Sequence, residues 1–127
     1  VTLFPWTAGM YCSALESTTV TVWHGVQDNK SCCVLILERV LDELTIQNLF
    51  VARDFQRQGI ARRCLQQLCE QSRAAGDWRI LLEVRAGNEA AIRLYQQAGF
   101  QQSGLRKAYY RAESGREDAI LMEYLHV

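Results

Sequence analysis

The chain has 127 residues, of which 49% are hydrophobic and 22% charged, a composition typical of one soluble globular domain. Fourteen basic residues balance fourteen acidic ones, so overall charge gives no reason to infer nucleic-acid binding, and no direct nucleic-acid partner is expected. No apolar run approaches the roughly 20 residues that a transmembrane helix needs, so no membrane association is expected. We therefore predict a single domain over residues 1–127.

The cysteines and histidines favour a reducing compartment and no metal. Five cysteines leave at least one free thiol in any disulfide pairing, and no basic-then-apolar leader opens the chain, so we predict a cytoplasmic location. There is no Cys-x-x-Cys pair, and His24 and His126 are far apart in sequence. This spacing predicts no metal site.

The first half of the chain predicts mainly strands. Up to about Glu16 the apolar residues have no clear period, which favours a loop that leads into a short helix. The stretches 18–24, 32–38 and 44–51 are rich in β-branched and aliphatic residues or alternate between apolar and polar residues. They predict a three-stranded antiparallel meander, with a turn over 25–31.

A change in the spacing of the apolar residues at Gly59 predicts that a helix begins there. Apolar residues then recur at spacings of three and four until Gly76, which is a natural stop. The apolar run Arg79–Arg85 predicts a strand that is buried on both faces. Because the order is strand, helix, strand, we expect the strands on either side of the helix to pair in parallel through a crossover.

The last third of the chain predicts a second helix and a hairpin. Asn88 can cap a helix that ends at Gly99, and strands are predicted near 109–111 and 119–125, joined by a polar turn over 112–118. Together these elements predict an α/β fold in which helices flank one mixed sheet.

The turn between the third strand and the first helix carries the most chemistry. An anion such as a pyrophosphate can bind at the start of a helix, where backbone amides are free and the helix dipole is positive. Gly59 permits the close approach of such a ligand, and Arg57, Arg62 and Arg63 add positive charge. The spacing lacks the glycine patterns of NAD-binding and P-loop sites. From spacing alone, a helix that simply begins with a flexible glycine and solvated arginines is equally consistent.

Two longer patterns resemble one family. Residues 56–61, Gln-Arg-Gln-Gly-Ile-Ala, are similar to the acetyl-coenzyme A signature Q/R-x-x-G-x-G/A of the GCN5-related N-acetyltransferases, and residues 82–100 resemble that family's pattern L-E-V-R-x-x-N-x-x-A-x-x-L-Y-x-x-x-G-F. Residues 109–122 and the Phe-Pro-Trp of 4–6 resemble the bacterial RimI branch, whose members acetylate the N-terminal alanine of a small-subunit ribosomal protein.

The resemblance implies a splayed mixed sheet flanked by helices, with acetyl-coenzyme A as co-substrate and no metal. A strand and a helix normally precede the Phe-Pro-Trp segment in this family, so the first strand and helix of the fold are expected to be missing here. By the same resemblance, the coenzyme-binding residues lie on the strand beside the pantetheine arm, on the pyrophosphate loop and at the cap of the second helix: Leu49, Phe50, Val51, Arg57, Gln58, Gly59, Ile60, Ala61, Arg62 and Asn88.

The resemblance also implies the catalytic pair. Glu83 is a charge in an apolar strand, so its side chain must reach a wet cleft or take up a proton unusually readily, and the family makes it the general base, acting through water. Tyr95 lies on an apolar helix stripe, where a tyrosine is usually a core residue, and the family makes it the general acid toward the coenzyme A thiolate. Cys64 and Cys69 face the apolar side of their helix, which favours direct attack in a ternary complex.

The predicted acceptor is the N-terminal amino group of a ribosomal protein. Another protein N-terminus, a lysine or a small amine are alternatives, because the coenzyme motifs are shared across acceptors. A catalytically silent module that binds coenzyme A or a partner is a second alternative. The acidic residues Asp42, Glu43, Glu117 and Asp118 could attract a basic ribosomal tail, although solvated turn charges explain them equally well.

Overall fold

The computed structural model describes residues 2–5, 20–56, 59–112 and 115–126, with backbone alone at 2–5 and 111–112. In that part of the chain seven strands form one sheet in the order β1-β2-β3-β4-β5-β7-β6. The elements, in chain order, are β1 Thr2–Pro5, β2 Val20–Gln27, β3 Lys30–Val40, β4 Glu43–Val51, α1 Ile60–Ala74, β5 Arg79–Arg85, α2 Glu89–Gln97, β6 Gln101–Ala112 and β7 Gly115–Leu125. A short 3-10 turn, Arg53–Phe55, follows β4.

The sheet is mixed, as predicted. Each pair of neighbouring strands is antiparallel except β4 and β5, which run parallel and are connected through α1. A parallel pair needs such a crossover because its two strands begin at the same edge of the sheet. The prediction of one mixed sheet flanked by helices is confirmed.

One face of the sheet packs against both helices. The core is built from strand residues such as Leu35, Leu37 and Ile80 and from the α1 residues Leu65 and Leu68, all at most 3% exposed. The apolar stripe of α2 packs against the same cluster. Both helices therefore lie on the side of the sheet where the apolar strand residues alternate inward.

Strand β5 departs from its prediction. Ile80, Leu82 and Val84 are buried, whereas Glu83 and Arg85 are exposed. The prediction of burial on both faces was therefore wrong, because the consecutive apolar residues concealed an ordinary one-sided alternation. Glu83 is consequently on an accessible part of the strand.

Two other segments also differ from the prediction. Thr2–Pro5, predicted as loop, is strand β1 and pairs with β2, whose edge supplies backbone partners that sequence periodicity does not reveal. Residues 115–118, predicted as turn, belong to β7, which starts at Gly115 opposite Ala112. The rest of the predicted opening loop and short helix lies outside the described residues.

The β2–β3 connection is tighter than predicted. It is a two-residue turn in which Asp28 and Asn29 have φ of 53° and 61°. Asp and Asn tolerate this left-handed conformation, and such a turn matches the twist of a hairpin. The predicted turn over 25–31 therefore shortens to its two central residues.

The parallel contact between β4 and β5 ends early. Glu43 to Ile46 pair with Arg79 to Leu82, and no pairing follows. On the other side of β4, Leu37 pairs with Ile46 but Ile36 pairs with Asn48, so Gln47 is the extra residue of a β-bulge. Because a bulge bends its strand, β4 turns away from β5 and the sheet splays open beyond Leu82.

A buried polar cluster lies at the C-terminal end of α1. Asp77 is 5% exposed and accepts two hydrogen bonds of 2.9 Å from the Arg39 guanidinium and one of 2.7 Å from the Ser72 hydroxyl, and the ring of His126 lies 3.0 Å from that hydroxyl. Burial by itself raises the pKa of Asp77, but the hydrogen bonds from Arg39 and Ser72 outweigh it and lower the pKa. The cluster joins β3, α1 and the end of the chain after β7.

In the described residues no helix is long and apolar enough to cross a membrane.

We expect Asp77→Ala to lower the free energy of unfolding by about 2 kcal/mol, because it leaves Arg39 and the buried Ser72 without their acceptor. Urea denaturation measures this loss, and Glu70→Ala, which removes an exposed carboxylate from α1, should change stability by less than about 0.5 kcal/mol. Equal losses in the two variants would contradict the assignment.

The stabilisation by Asp77 should also depend on pH. The folded-state pKa lies below the ordinary value of 3.8, so folding favours the ionised carboxylate. The contribution is therefore present above that ordinary value and is lost as the pH falls through the lower folded-state pKa. The stability difference between the unaltered protein and Asp77→Ala should shrink correspondingly in acid.

Candidate active site

Three neighbouring cavities meet at the splay between β4 and β5. The splay cavity, of about 320 Å³, lies between residues 47–49 of β4 and residues 83–85 of β5 and is also lined by Asn88, Ala91 and Tyr95. The helix-side cavity, of about 870 Å³, lies between the start of α1 and α2. The far-side cavity, of about 320 Å³, is lined by residues of β4, β5, β6 and β7.

These cavities share lining residues. Asn88 and Ala91 line both the helix-side cavity and the splay cavity. Leu82 and Glu83 line both the splay cavity and the far-side cavity. The splay cavity thus lies next to both a space beside the helices and a space reached from β6 and β7.

The start of α1 has the predicted properties of an anion seat. Gly59 adopts a left-handed conformation with φ of 75°, and no side chain caps the helix among the described residues. Gly59, Ile60, Ala61 and Arg62 all line the helix-side cavity. The first-turn amides and the positive end of the helix dipole therefore lie at a cavity of ligand size. Arg57 and Gln58 lie outside the described residues.

The predicted β4 residues divide between the cavities. Leu49 lines the splay cavity and Val51 lines the helix-side cavity, whereas Phe50 is 54% exposed and does not line any of the three. Successive strand side chains alternate between faces, so Phe50 lies on the face opposite its two neighbours. The structure brings Leu49 and Val51 to the site but not the Phe50 side chain.

Asn88 has two roles available at once. Its side-chain oxygen accepts a 3.2 Å hydrogen bond from the backbone N–H of Ala91 and so caps α2. The amide nitrogen of the same side chain is left to donate toward a ligand, at the junction of the splay and helix-side cavities. The cap fixes the side chain where such a donor is needed.

Glu83 reaches a wet cleft, which is one of the two alternatives that its sequence position allowed. Its side chain is 32% exposed and lines the splay and far-side cavities. Its carboxylate forms an ion pair of 3.5 Å with Arg106. A carboxylate in this position can exchange protons with solvent or with a bound amine.

Tyr95 is both a packing residue and a cavity residue. It lies half-buried on α2, packs edge-on against Phe100 with ring centroids 5.8 Å apart, and lines the splay cavity. Burial raises the pKa of Tyr95 above its ordinary value of 10.0. The phenol therefore holds its proton at neutral pH and can donate it to a stronger base.

The four cysteines among the described residues are not placed for nucleophilic catalysis. None of Cys32, Cys33, Cys64 and Cys69 lines the three cavities, and all four are buried. The sulfurs of Cys33 and Cys64 are in disulfide contact in the core between β3 and α1. Burial raises the pKa of Cys69 to about 11, so that thiol stays protonated at neutral pH.

Sequence reasoning missed several residues of the site. Glu117 accepts a 2.6 Å hydrogen bond from the N–H of Gly87 and pairs with Arg85 at 3.4 Å, and the Arg85 guanidinium lies 4.3 Å from the centre of the Tyr110 ring. These contacts tie the β6–β7 hairpin to the loop that positions Asn88. They depend on the register of β7 beside β5, which no local sequence pattern reveals.

Three of the four acidic residues considered for binding a basic tail already have partners within the chain. Glu117 is held by Gly87 and Arg85, and Glu43 pairs with Arg79 at 2.9 Å. Asp118 also accepts a hydrogen bond of 2.8 Å from the backbone N–H of Ala108. These contacts favour a structural role for the three carboxylates.

Residues 13–100 match the acetyltransferase (GNAT) family. The chain belongs to this family. The predicted resemblance and the predicted enzyme class, an acetyltransferase, are thereby confirmed. The roles of the individual site residues stay predictions.

Three similar proteins are bacterial acetyltransferases. The chain is 39% identical over 119 residues to the [ribosomal protein bS18]-alanine N-acetyltransferase of Escherichia coli K12, covering 94% of this chain and 80% of that protein. It is 37% identical over 121 residues to the protein of the same name from Haemophilus ducreyi, covering 94% and 83%. It is 41% identical over 80 residues to the N-alpha-acetyltransferase RimI of Mycobacterium tuberculosis, covering 63% and 48%.

Solved structures agree on the fold. The crystal structure of the Escherichia coli ribosomal-protein-S18-alanine N-acetyltransferase has a TM-score of 0.81 at 38% identity, covering 96% of this chain and 78% of that one. A GNAT acetyltransferase from Elizabethkingia anophelis, solved with acetyl-CoA bound, has a TM-score of 0.83 at 22% identity, covering 98% and 97%.

We expect Asn88 variants to separate capping from ligand binding. Asn88→Asp keeps an oxygen for the Ala91 amide and should leave stability unchanged, whereas Asn88→Ala should cost about 1 kcal/mol. Both variants lose the amide donor at the cavity junction, so both should bind acetyl-coenzyme A about 10-fold more weakly by calorimetry. Normal binding by Asn88→Asp would restrict this residue to its capping role.

Proposed function

We propose that this chain is a single acetyltransferase domain over residues 1–127 that acts in the cytoplasm. It transfers the acetyl group of acetyl-coenzyme A to the N-terminal amino group of an alanine on a small-subunit ribosomal protein. The supporting geometry is the splay cavity, which adjoins the other two cavities and is lined by both Glu83 and Tyr95. The acceptor is inferred from the names of relatives that are 37–39% identical over most of the chain.

The described residues fit acetyl-coenzyme A. The start of α1 offers backbone N–H groups and Arg62 to the pyrophosphate at the helix-side cavity. Past Ile46 the edge of β4 that faces β5 has no strand partner, so its backbone groups are available to the amides of the pantetheine arm. The thioester end then lies in the splay cavity. The coenzyme supplies the activated acetyl group.

The residues around that thioester can carry the two proton transfers. The acceptor amine approaches from the far-side cavity and gives a proton through water to the Glu83 carboxylate. The neutral amine attacks the thioester carbonyl, a C–N bond forms, the C–S bond breaks, and the nitrogen loses its second proton to solvent, from which Tyr95 is reprotonated at the end of the cycle. Tyr95 protonates the departing thiolate. Direct attack agrees with the placement of the four described cysteines outside the three cavities.

The acceptor is tested by measuring thiol release from acetyl-coenzyme A in the presence of four acceptors. These are a ribosomal peptide that starts with alanine, the same peptide starting with serine, an N-terminally blocked lysine peptide, and spermidine. Strong preference for the alanine peptide is expected. Faster turnover of another acceptor would change the assigned substrate but not the proposed reaction. No thiol release with any of the four acceptors would favour a module that binds coenzyme A or a partner without catalysis.

We expect Tyr95→Phe to lower kcat about 100-fold with little change in KM for either substrate, since it removes the proton donor and keeps the ring. Tyr124→Phe is the matched control, because Tyr124 also packs against Phe100, at 5.6 Å, yet does not line the three cavities. Steady-state kinetics should show near-normal turnover for Tyr124→Phe. Unchanged turnover in Tyr95→Phe would remove this residue from the mechanism.

A further inference from the structure

Arg106 occupies a position that an irregularity in β6 determines. Arg106 pairs with Ala119 of β7, but the next paired residue of β6 is Tyr110, opposite Glu117. Residues 107–109 are therefore left out of the ladder, and Ala108 adopts φ of 52°. Its backbone N–H donates a 2.8 Å hydrogen bond to the Asp118 carboxylate. This anchor fixes the backbone immediately after Arg106.

The Arg106 side chain points to Glu83 across the far-side cavity. Its Nη1 lies 3.5 Å from Glu83 Oε1, and its guanidinium carbon lies 5.2 Å from the centre of the Tyr109 ring. Both members of the ion pair line the far-side cavity. Arg106 does not line the helix-side cavity or the splay cavity, so its contact with the site runs through Glu83.

The second arginine of the far-side cavity is arranged differently. Arg79 pairs with Glu43 at 2.9 Å and with Glu123 at 3.0 Å. Those two carboxylates account for its guanidinium, and no ion pair between Arg79 and Glu83 occurs among the described residues. Among the described residues, the arginine that pairs with Glu83 is therefore Arg106.

We propose that Arg106 is a positioning residue for acetyl transfer, which orients the ionised Glu83 carboxylate at the opening between β4 and β5. A charge-assisted contact of this kind holds the Glu83 carboxylate in one orientation beside the far-side cavity. An acceptor that arrives there as an ammonium meets an oriented carboxylate that can take its proton. The N–H bond of the ammonium breaks, an O–H bond forms on Glu83, and the neutral amine remains.

This inference rests on the proposed function, because it requires Glu83 to act as the base. It goes further by assigning a role to a residue outside both sequence motifs of the family. Arg106 acts on the acceptor half of the reaction, since the coenzyme half is built from α1, α2 and β4. The two halves can therefore be separated by kinetics.

The test compares Arg106→Gln and Arg106→Lys with Lys107→Gln, which removes an exposed positive charge one residue away. Arg106→Gln should lower kcat/KM for the alanine peptide about 10-fold at pH 7, because the Glu83 carboxylate loses the contact that orients it. KM for acetyl-coenzyme A should not change. Arg106→Lys should recover most of the activity, and Lys107→Gln should match the unaltered protein.

A double-mutant cycle with Glu83→Gln separates positioning from a general structural role. Once Glu83 has lost its charge, Arg106→Gln should cause no additional loss of kcat/KM. An equal 10-fold loss in both backgrounds, a raised KM for acetyl-coenzyme A, or full activity of Arg106→Gln would each overturn the inference. Absence of acetyl transfer by the unaltered protein would instead overturn the proposed function, and this inference with it.

Discussion

The early end of the parallel contact between β4 and β5 is the constraint on which the site depends. The two strands share only four pairs, because Gln47 is an extra residue that bends β4 after Ile46. Had the ladder continued, the backbone of residues 47–49 would be paired and Glu83 would face a neighbouring strand. The opening instead leaves unpaired backbone on one side and a carboxylate on the other, with a cavity adjoining each. A bulge of one residue thereby opens the interior of the sheet at the place proposed for the two substrates.

The two ends of this opened sheet are stabilised differently. At the closed end, Asp77 is buried and satisfied by Arg39 and Ser72, an arrangement that holds β3 and α1 together. At the open end the charges remain accessible to solvent, as in the pair of Glu83 and Arg106. Accessible pairs contribute little to stability, so the pair of Glu83 and Arg106 adds little to the fold and can serve the site instead. One end of the sheet is stabilised by buried polar contacts, and the other presents charged groups to solvent.

The sequence predicts the helices and strands well where the spacing of apolar residues directly indicates which face is buried. The helix from Ile60, its glycine start, the cap at Asn88 and the parallel crossover all follow from local patterns. Family motifs locate Glu83 and Tyr95. Strand β1 and the early start of β7 were missed because partner strands, rather than their own residues, define them. Arg106 and the link from Glu117 to Gly87 were missed for a related reason: they arise from register between strands that are distant in sequence.

The placement of the proposed acid and base follows from two local patterns: side chains alternate between the two faces of strand β5, and apolar side chains form one stripe on helix α2. Tyr95 belongs to the apolar stripe of α2, so burial holds its proton in place until a strong base appears. Glu83 lies between the buried Leu82 and Val84 on the accessible side of β5, where its carboxylate is open to solvent and pairs with Arg106. The two groups meet at one cavity because the sheet is open between them. Proton donor and proton acceptor thus receive opposite environments from the same packing, and the coenzyme thiolate and the acceptor amine need those environments on opposite sides.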